Sequence, residues 1–291
     1  MNYFKIVKKY RYFIEKILTS LRFIFILILI FFLNISFANR IITLAPNITE
    51  LVYKLGSGKD IVGVSSYSDF PKSAKFLPIV SNYTYIDIEK ILYLHPKLII
   101  GELSNGKNIQ WNKEFKKFKI SSFWLSINKI SDISQMFSKL GKLLKKENTA
   151  KIKEKYIKNI FDKIILYKRR KKDKIPKVLL QISYQPIFVA SGNSIQTKII
   201  CFCGGNNIYY KKKKFFIPIE IEDVLKKNPD ILFVMNNFQK KFWEKKWPIL
   251  NAVKKNHIYI LHPNWILRSG PRLIYGLKEI CTFINSFYKK S

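Results

Sequence analysis

The apolar positions of this chain follow one pattern twice. Ile88-Glu89-Lys90-Ile91-Leu92-Tyr93-Leu94-His95-Pro96-Lys97-Leu98-Ile99-Ile100 and Ile221-Glu222-Asp223-Val224-Leu225-Lys226-Lys227-Asn228-Pro229-Asp230-Ile231-Leu232-Phe233 keep register over thirteen positions. Helical spacing puts Ile88, Ile91 and Leu92 on one face of the first copy, and Ile221, Val224 and Leu225 on one face of the second. Pro96 and Pro229 stop the helix and push the residue before each towards extended geometry. The apolar, β-branched runs that follow suit parallel strands buried on both faces. The repetition predicts two related α/β halves facing each other across a cleft, with Glu89 and Glu222 at equivalent surface points.

The remaining pattern continues this alternation. Strands are predicted over 40–44, 60–64, 120–125, 178–182 and 257–261. Helices are predicted over 49–55, capped by Asn47 or Thr49 and stopped by Gly56, from Ser194 to the Gly204 and Gly205 pair, and over 271–288. Strands alternating with helices imply parallel pairing. The longest helical signal begins near Glu147: Ile152, Tyr156, Ile160 and Ile164 recur every fourth residue, with Ile157, Phe161 and Ile165 beside them. It dissolves into a basic run from Lys168 to Lys172. About twenty helical residues span roughly 30 Å, enough to cross from one lobe to the other, although an ordinary surface helix with a solvated basic end fits the same pattern. The expected fold is α/β, with two Rossmann-like lobes (39–145 and 175–291) joined by a single long helix (within 146–174) and a ligand cleft between them. Loops at strand ends carry ligand sites in such lobes. Two stand out: Ser65 to Pro71, polar with two aromatics, and His262 to Arg268, with Asn264, Trp265 and a guanidinium.

Composition changes this picture little. A formal charge of +34 invites a polyanion partner, but the lysines are scattered and accompany an excess of Ile, Asn, Phe and Tyr, as A/T-rich codons give. No zinc-finger spacing or phosphate-binding glycine loop supports nucleic-acid binding. Residues 1–38 read as a targeting segment: Lys5, Lys8, Lys9, Arg11, Lys16 and Arg22 precede an apolar run over 23–33, and Ser36-Phe37-Ala38 supplies small residues where a signal peptidase cuts. Cleavage after Ala38 is the favoured reading and an uncleaved membrane anchor the alternative. Either way the remainder is exported to where disulfides persist. Of Cys201, Cys203 and Cys281, one pair can bridge and one thiol is left over.

The loops resemble those of the periplasmic cobalamin-binding proteins that serve ABC importers. Ile41-Ile42-Thr43-Leu44-Ala45-Pro46-Asn47-Ile48-Thr49-Glu50 is similar to that family's opening strand and helix, and Val62-Gly63-Val64-Ser65-Ser66-Tyr67-Ser68-Asp69 to its first cleft loop. Cys203-Gly204-Gly205-Asn206-Asn207-Ile208 and Arg268-Ser269-Gly270-Pro271-Arg272 resemble its second-lobe signatures. The resemblance spans residues 40–288 and implies two lobes joined by one helix, with cobalamin as transported ligand and no catalytic cofactor. It implies a periplasmic monomer that meets a permease dimer with its ATPase. Tyr67 and Tyr83 match aromatic cleft positions of the first lobe, Phe188 and Phe216 those of the second, and Asn264 and Arg268 match polar contacts. Glu89 and Glu222 match glutamates that meet arginines on the transporter, and Cys203 and Cys281 match a disulfide, leaving Cys201 over. Two departures stand out: Asn264 occupies a position where Asp is common, and Glu102 one where a Trp is common.

A siderophore or haem receptor of the same fold is the runner-up. A docking protein with a degenerate cleft is a third class, favoured by Glu102. His95, His257 and His262 are too dispersed to form a metal receptor's ligand cluster. Asp69, Glu102 and His262 are acid–base candidates near the cleft, but no Gly-x-Ser-x-Gly elbow or His-Glu-x-x-His helix accompanies them, so a non-enzyme is expected.

Overall fold

A computed structural model describes residues 39–82, 84–103, 109–168 and 175–290, together with Arg22. The targeting segment expected over 1–38 lies, Arg22 apart, outside the described residues, as do Tyr83 and the basic run over 169–174. Among the described residues no helix is long and apolar enough to cross a membrane.

Residues 40–291 form one compact unit holding two parallel sheets. The first is built from β1 (Ile41–Thr43), α1 (Pro46–Lys54), β2 (Ile61–Ser65), β3 (Ile79–Ser81), α2 (Ile88–Tyr93), β4 (Leu98–Glu102), α3 (Ile109–Lys117), β5 (Ser121–Leu125) and α4 (Asp132–Leu143). The long helix α5 (Glu147–Lys168) follows. The second part comprises β6 (Lys177–Leu180), β7 (Phe188–Ala190), α6 (Ile195–Phe202), β8 (Asn206–Asn207), β9 (Phe216–Pro218), α7 (Ile221–Lys227), β10 (Ile231–Val234), α8 (Asn237–Lys246), α9 (Asn251–Lys254), β11 (Ile258–Ile260), α10 (Pro263–Ile266) and α11 (Leu273–Lys290). The strand orders are β3-β2-β1-β4-β5 and β11-β10-β6-β8, each parallel throughout. This is the doubly wound α/β architecture, in two lobes. A small antiparallel pair, β7 with β9, is joined to the segment after β6 by the single antiparallel bridge Gln181–Val189.

The repeated motif holds in backbone detail. The two copies form α2 then β4, and α7 then β10, and Ile91 and Val224 are each fully buried. His95 and Asn228, at equivalent positions, both turn left-handed at φ 44°. The pre-proline rule predicts extended geometry there. The helix end overrides it, because a left-handed residue lets the chain leave the last turn.

Two other expectations need correction. α1 starts at Pro46 with Ala45 as its N-cap, so Asn47 and Thr49 lie inside the helix and do not cap it. Proline at the first helical position has its φ already set and no amide proton to satisfy, which moves the start forward. On α5, Ile152 is 68% exposed and Tyr156 48% exposed, with the Lys278 ammonium 5.6 Å from the Tyr156 ring. The buried stripe is instead Ala150, Ile157 and Ile160, with Phe161 and Ile164 packed beside them. A strict four-residue repeat drifts about 40° per step on a helix of 3.6 residues per turn, so Ile152 and Ile164 cannot share a face. α4, which has no place among the sequence expectations, packs along α5.

The largest apolar cluster runs without a break from the first lobe to the second, from Ile41 and Leu140 through Ile157 and Ile160 to Ile199 and Ile280. Cys203, the C-cap of α6, is bonded to Cys281 on α11 and closes a separation of 78 residues, while Cys201 is exposed. Closing so long a loop restricts the unfolded chain. Cys281→Ser is therefore expected to lower the unfolding free energy by about 2–5 kcal/mol in urea titration. A loss below about 0.5 kcal/mol would contradict that role.

Candidate functional site at the facing sheet ends

Every strand of a parallel sheet ends on the same side, so the contacts after β1, β2, β5 and β11 locate the space between the sheets. Asn47, just after β1, donates its amide to the Ser269 carbonyl at 2.9 Å. Asp69, after β2, accepts from Arg268 at 2.7 and 3.4 Å. Lys198 on α6 donates to the Asn128 carbonyl, after β5, at 2.6 Å. The C-terminal ends of the two sheets therefore face each other. Gly270 makes this approach possible: a Cβ there would lie 2.7 Å from that of Asn47, inside contact distance.

The two ion pairs across this boundary differ in kind. Glu50 and Arg272 are both largely buried, with Oε2 2.6 Å from Nε. Burial holds the Glu50 carboxyl above the ordinary range even against the Arg272 charge, and its Oε1 has no hydrogen-bond partner. The Arg272 guanidinium also lies over the Phe70 ring at 4.4 Å. Asp69 is the more open partner. The hydrogen bond from Arg268 is the main cause that holds its carboxyl below the usual value, against a smaller opposing effect of burial.

These contacts fix the loop after β2 and leave one side chain out. Buried hydroxyls link Thr43 to Thr49 at 2.7 Å, Thr49 to Ser68 at 3.0 Å, and Ser68 to Ser65 at 3.1 Å. Between them Tyr67 adopts φ 62° and is 80% exposed. A bulky residue in the left-handed region is costly, and such strain concentrates at functional sites. Glu102 ends β4, the neighbour of β1. Burial raises its carboxyl, partly offset by a hydrogen bond from Asn47.

The other sequence candidates distribute as follows. Phe188 and Phe216 sit on the same face of the β7–β9 pair, since Phe188 lies opposite Pro218 and Phe216 opposite Ala190. Phe216 is 40% exposed and Phe188 half-buried. Asn264 lies in α10, one turn before Arg268, in a loop where His262 stacks on Trp265 at 4.6 Å. Glu89 and Glu222 are both exposed in the first turns of α2 and α7. Asn47, Glu50 and Arg272 were visible in the sequence only as parts of signatures. An acid in an early helix and an arginine more than two hundred positions later carry no local sign of pairing.

Residues 41–265 match a family described as "Periplasmic binding protein". A "Vitamin B12-binding protein" of Vibrio parahaemolyticus serotype O3:K6 is 28% identical over 280 residues, covering 90% of this chain and 96% of the relative. The crystal structure of the periplasmic vitamin B12 binding protein BtuF of Vibrio cholerae superposes with a TM-score of 0.76 at 25% identity, covering 87% of this chain and 99% of that one. The periplasmic heme-binding protein RhuT of Roseiflexus sp. RS-1 shares the fold at 22% identity and TM-score 0.71, covering 86% and 98%.

The two ion pairs should rank by burial. Arg272→Ala removes the hydrogen-bonded cation from the buried Glu50 carboxylate, leaving the Lys54 ammonium 3.9 Å from Oε1, and is expected to cost about 3–5 kcal/mol of stability. Arg268→Ala, at a half-buried and more open pair, is expected to cost about 1 kcal/mol or less. Denaturant titration of both variants checks the order, and the reverse ranking would contradict it.

Proposed function

We propose that this chain, which belongs to the periplasmic binding protein family, captures a corrinoid between its lobes and delivers it to an ABC importer. Tyr67 carries the reading: it is a large aromatic side chain held into solvent by a strained backbone while its neighbours are fixed by hydroxyls and an ion pair. A corrin is wide and flat, with an apolar face and a rim of amides. Aromatic side chains cover such a face at low entropy cost, and a few polar groups fix its orientation. In this reading Tyr67, Tyr83, Phe188 and Phe216 supply the walls, and Asn264 and Arg268 meet the rim. Arg268 has then to exchange part of its pairing with Asp69 for the ligand. The lobes are 39–145 and 175–291, with the connecting helix in 146–174. The segment 1–38 exports the chain to the periplasm or holds it at the membrane.

The vitamin B12-binding names of the relatives support the corrinoid, and the fold shared with a heme-binding protein keeps haem as the second reading. Glu102, with its carboxyl at the end of β4 where an aromatic wall is common, favours a third reading, a docking protein with a degenerate cleft.

Glu89 and Glu222 belong to docking. They are exposed, equivalent through the repeat, and placed where the positive helix end favours a carboxylate. A chain of net charge +34 is repelled by an arginine-bearing surface unless it offers local negative points.

Calorimetry with cyanocobalamin is expected to give about one site per chain, with haemin as control. Haemin heat without corrinoid heat would replace the corrinoid by haem. Tyr67→Ala is expected to weaken binding about tenfold to a hundredfold, or about 1–3 kcal/mol. Reversal of both Glu89 and Glu222 to Lys is expected to abolish pull-down with the reconstituted permease while leaving ligand affinity within about twofold. Loss of ligand affinity with docking intact would move the two glutamates into the cleft.

A further inference from the structure

Ligands of doubly wound sheets sit where the strand order reverses, outside the C-terminal ends of the two strands that flank the reversal. In the first sheet β1 has β2 on one side and β4 on the other, so the reversal lies between β1 and β4. The polar residues there are Asn47 and Glu102. In the second sheet β6 has β8 on one side and β10 on the other, so the reversal lies between β6 and β10. The residues there are aromatic.

Tyr184 follows β6 and Phe238 follows β10. The Tyr184 ring meets Phe238 at 4.8 Å and 89°, and Phe242, one helical turn further along α8, at 5.0 Å and 75°. The supports of this cluster are polar, and two of them, Gln181 and Gln239, are buried. Gln181 accepts from the Trp243 indole at 2.7 Å and donates to the Ser183 carbonyl at 2.9 Å. Asn236 caps α8 by accepting from the Gln239 amide at 2.9 Å, and the Gln239 side chain accepts from the Met235 amide at 2.6 Å. Phe238 is thus fixed at the first turn of its helix, yet 61% of it is exposed. A phenyl ring held by edge contacts on one side and open to water on the other is a surface awaiting an apolar plane.

We propose that Phe238, backed by Tyr184 and Phe242, is a further apolar wall of the second lobe, in addition to Phe188 and Phe216, and takes one face of the ligand's flat macrocycle. This rests on the capture reading and adds a specificity-determining surface to it. The two reversals then differ: Phe238 adds apolar surface at one, while Asn47 and Glu102 offer hydrogen bonds at the other, which favours a ring with an apolar face and a polar rim over a uniformly polar chelate.

The test titrates the full chain with cyanocobalamin and haemin, comparing wild type with Phe238→Ala, Tyr184→Ala and Phe238→Leu. Circular dichroism and thermal melts verify the fold of each variant. Phe238→Leu keeps apolar contact with Tyr184 and removes only the ring, so it serves if either alanine variant fails to fold. Folded variants are expected to raise Kd about tenfold for whichever compound the wild type binds, with Phe238→Trp restoring binding to within about threefold. Folded variants with Kd within twofold of wild type would overturn the wall alone. Wild-type protein that binds neither compound would overturn the capture reading, and the wall with it.

Discussion

The approach of Arg272 to Glu50 is the contact on which the arrangement of the two sheets depends. A carboxylate this deeply buried is unfavourable unless a cation reaches it, and the cation comes from the far end of the chain. The requirement extends outward from there. Gly270 must lack a side chain so that Asn47 can pass, Asn47 then reaches both Ser269 and Glu102, and Arg268 is left beside Asp69. The interlobe boundary is therefore polar and specific at its open edge.

Behind that edge the boundary is apolar. One cluster runs from β1 through α4 and α5 to α6 and α11, and the Cys203–Cys281 bond ties the last two helices together. Separating the lobes by a wide hinge would expose this cluster to water at a cost proportional to its area. Small adjustments near the cleft mouth cost far less, since they involve half-buried groups such as Asp69 and Arg268. A fold of this build resists wide separation of its lobes, and its cleft loops are held in place beforehand.

Much of this was legible in the sequence because the signals are local. Helix and strand periods, proline stops and the thirteen-residue repeat depend on neighbours within a turn or two, and α2, β4, α7 and β10 appear where the pattern put them. The Tyr67 loop was legible through its composition. The outward face of α5 was not, because a four-residue count takes no account of the slower true period or of α4 as its packing partner.

The sequence by itself determined the strand–helix alternation of both halves, the parallel pairing it implies, and the equivalence of Glu89 and Glu222. It did so because backbone propensity and hydrophobic period act over a few residues. Only the tertiary structure decided which distant side chains meet. Glu50 and Arg272 lie 222 positions apart, and Tyr184 and Phe238 stand in segments well separated along the chain. Strand order in the sheets brings them together, and strand order is set by how whole faces are buried, which no stretch of sequence carries alone.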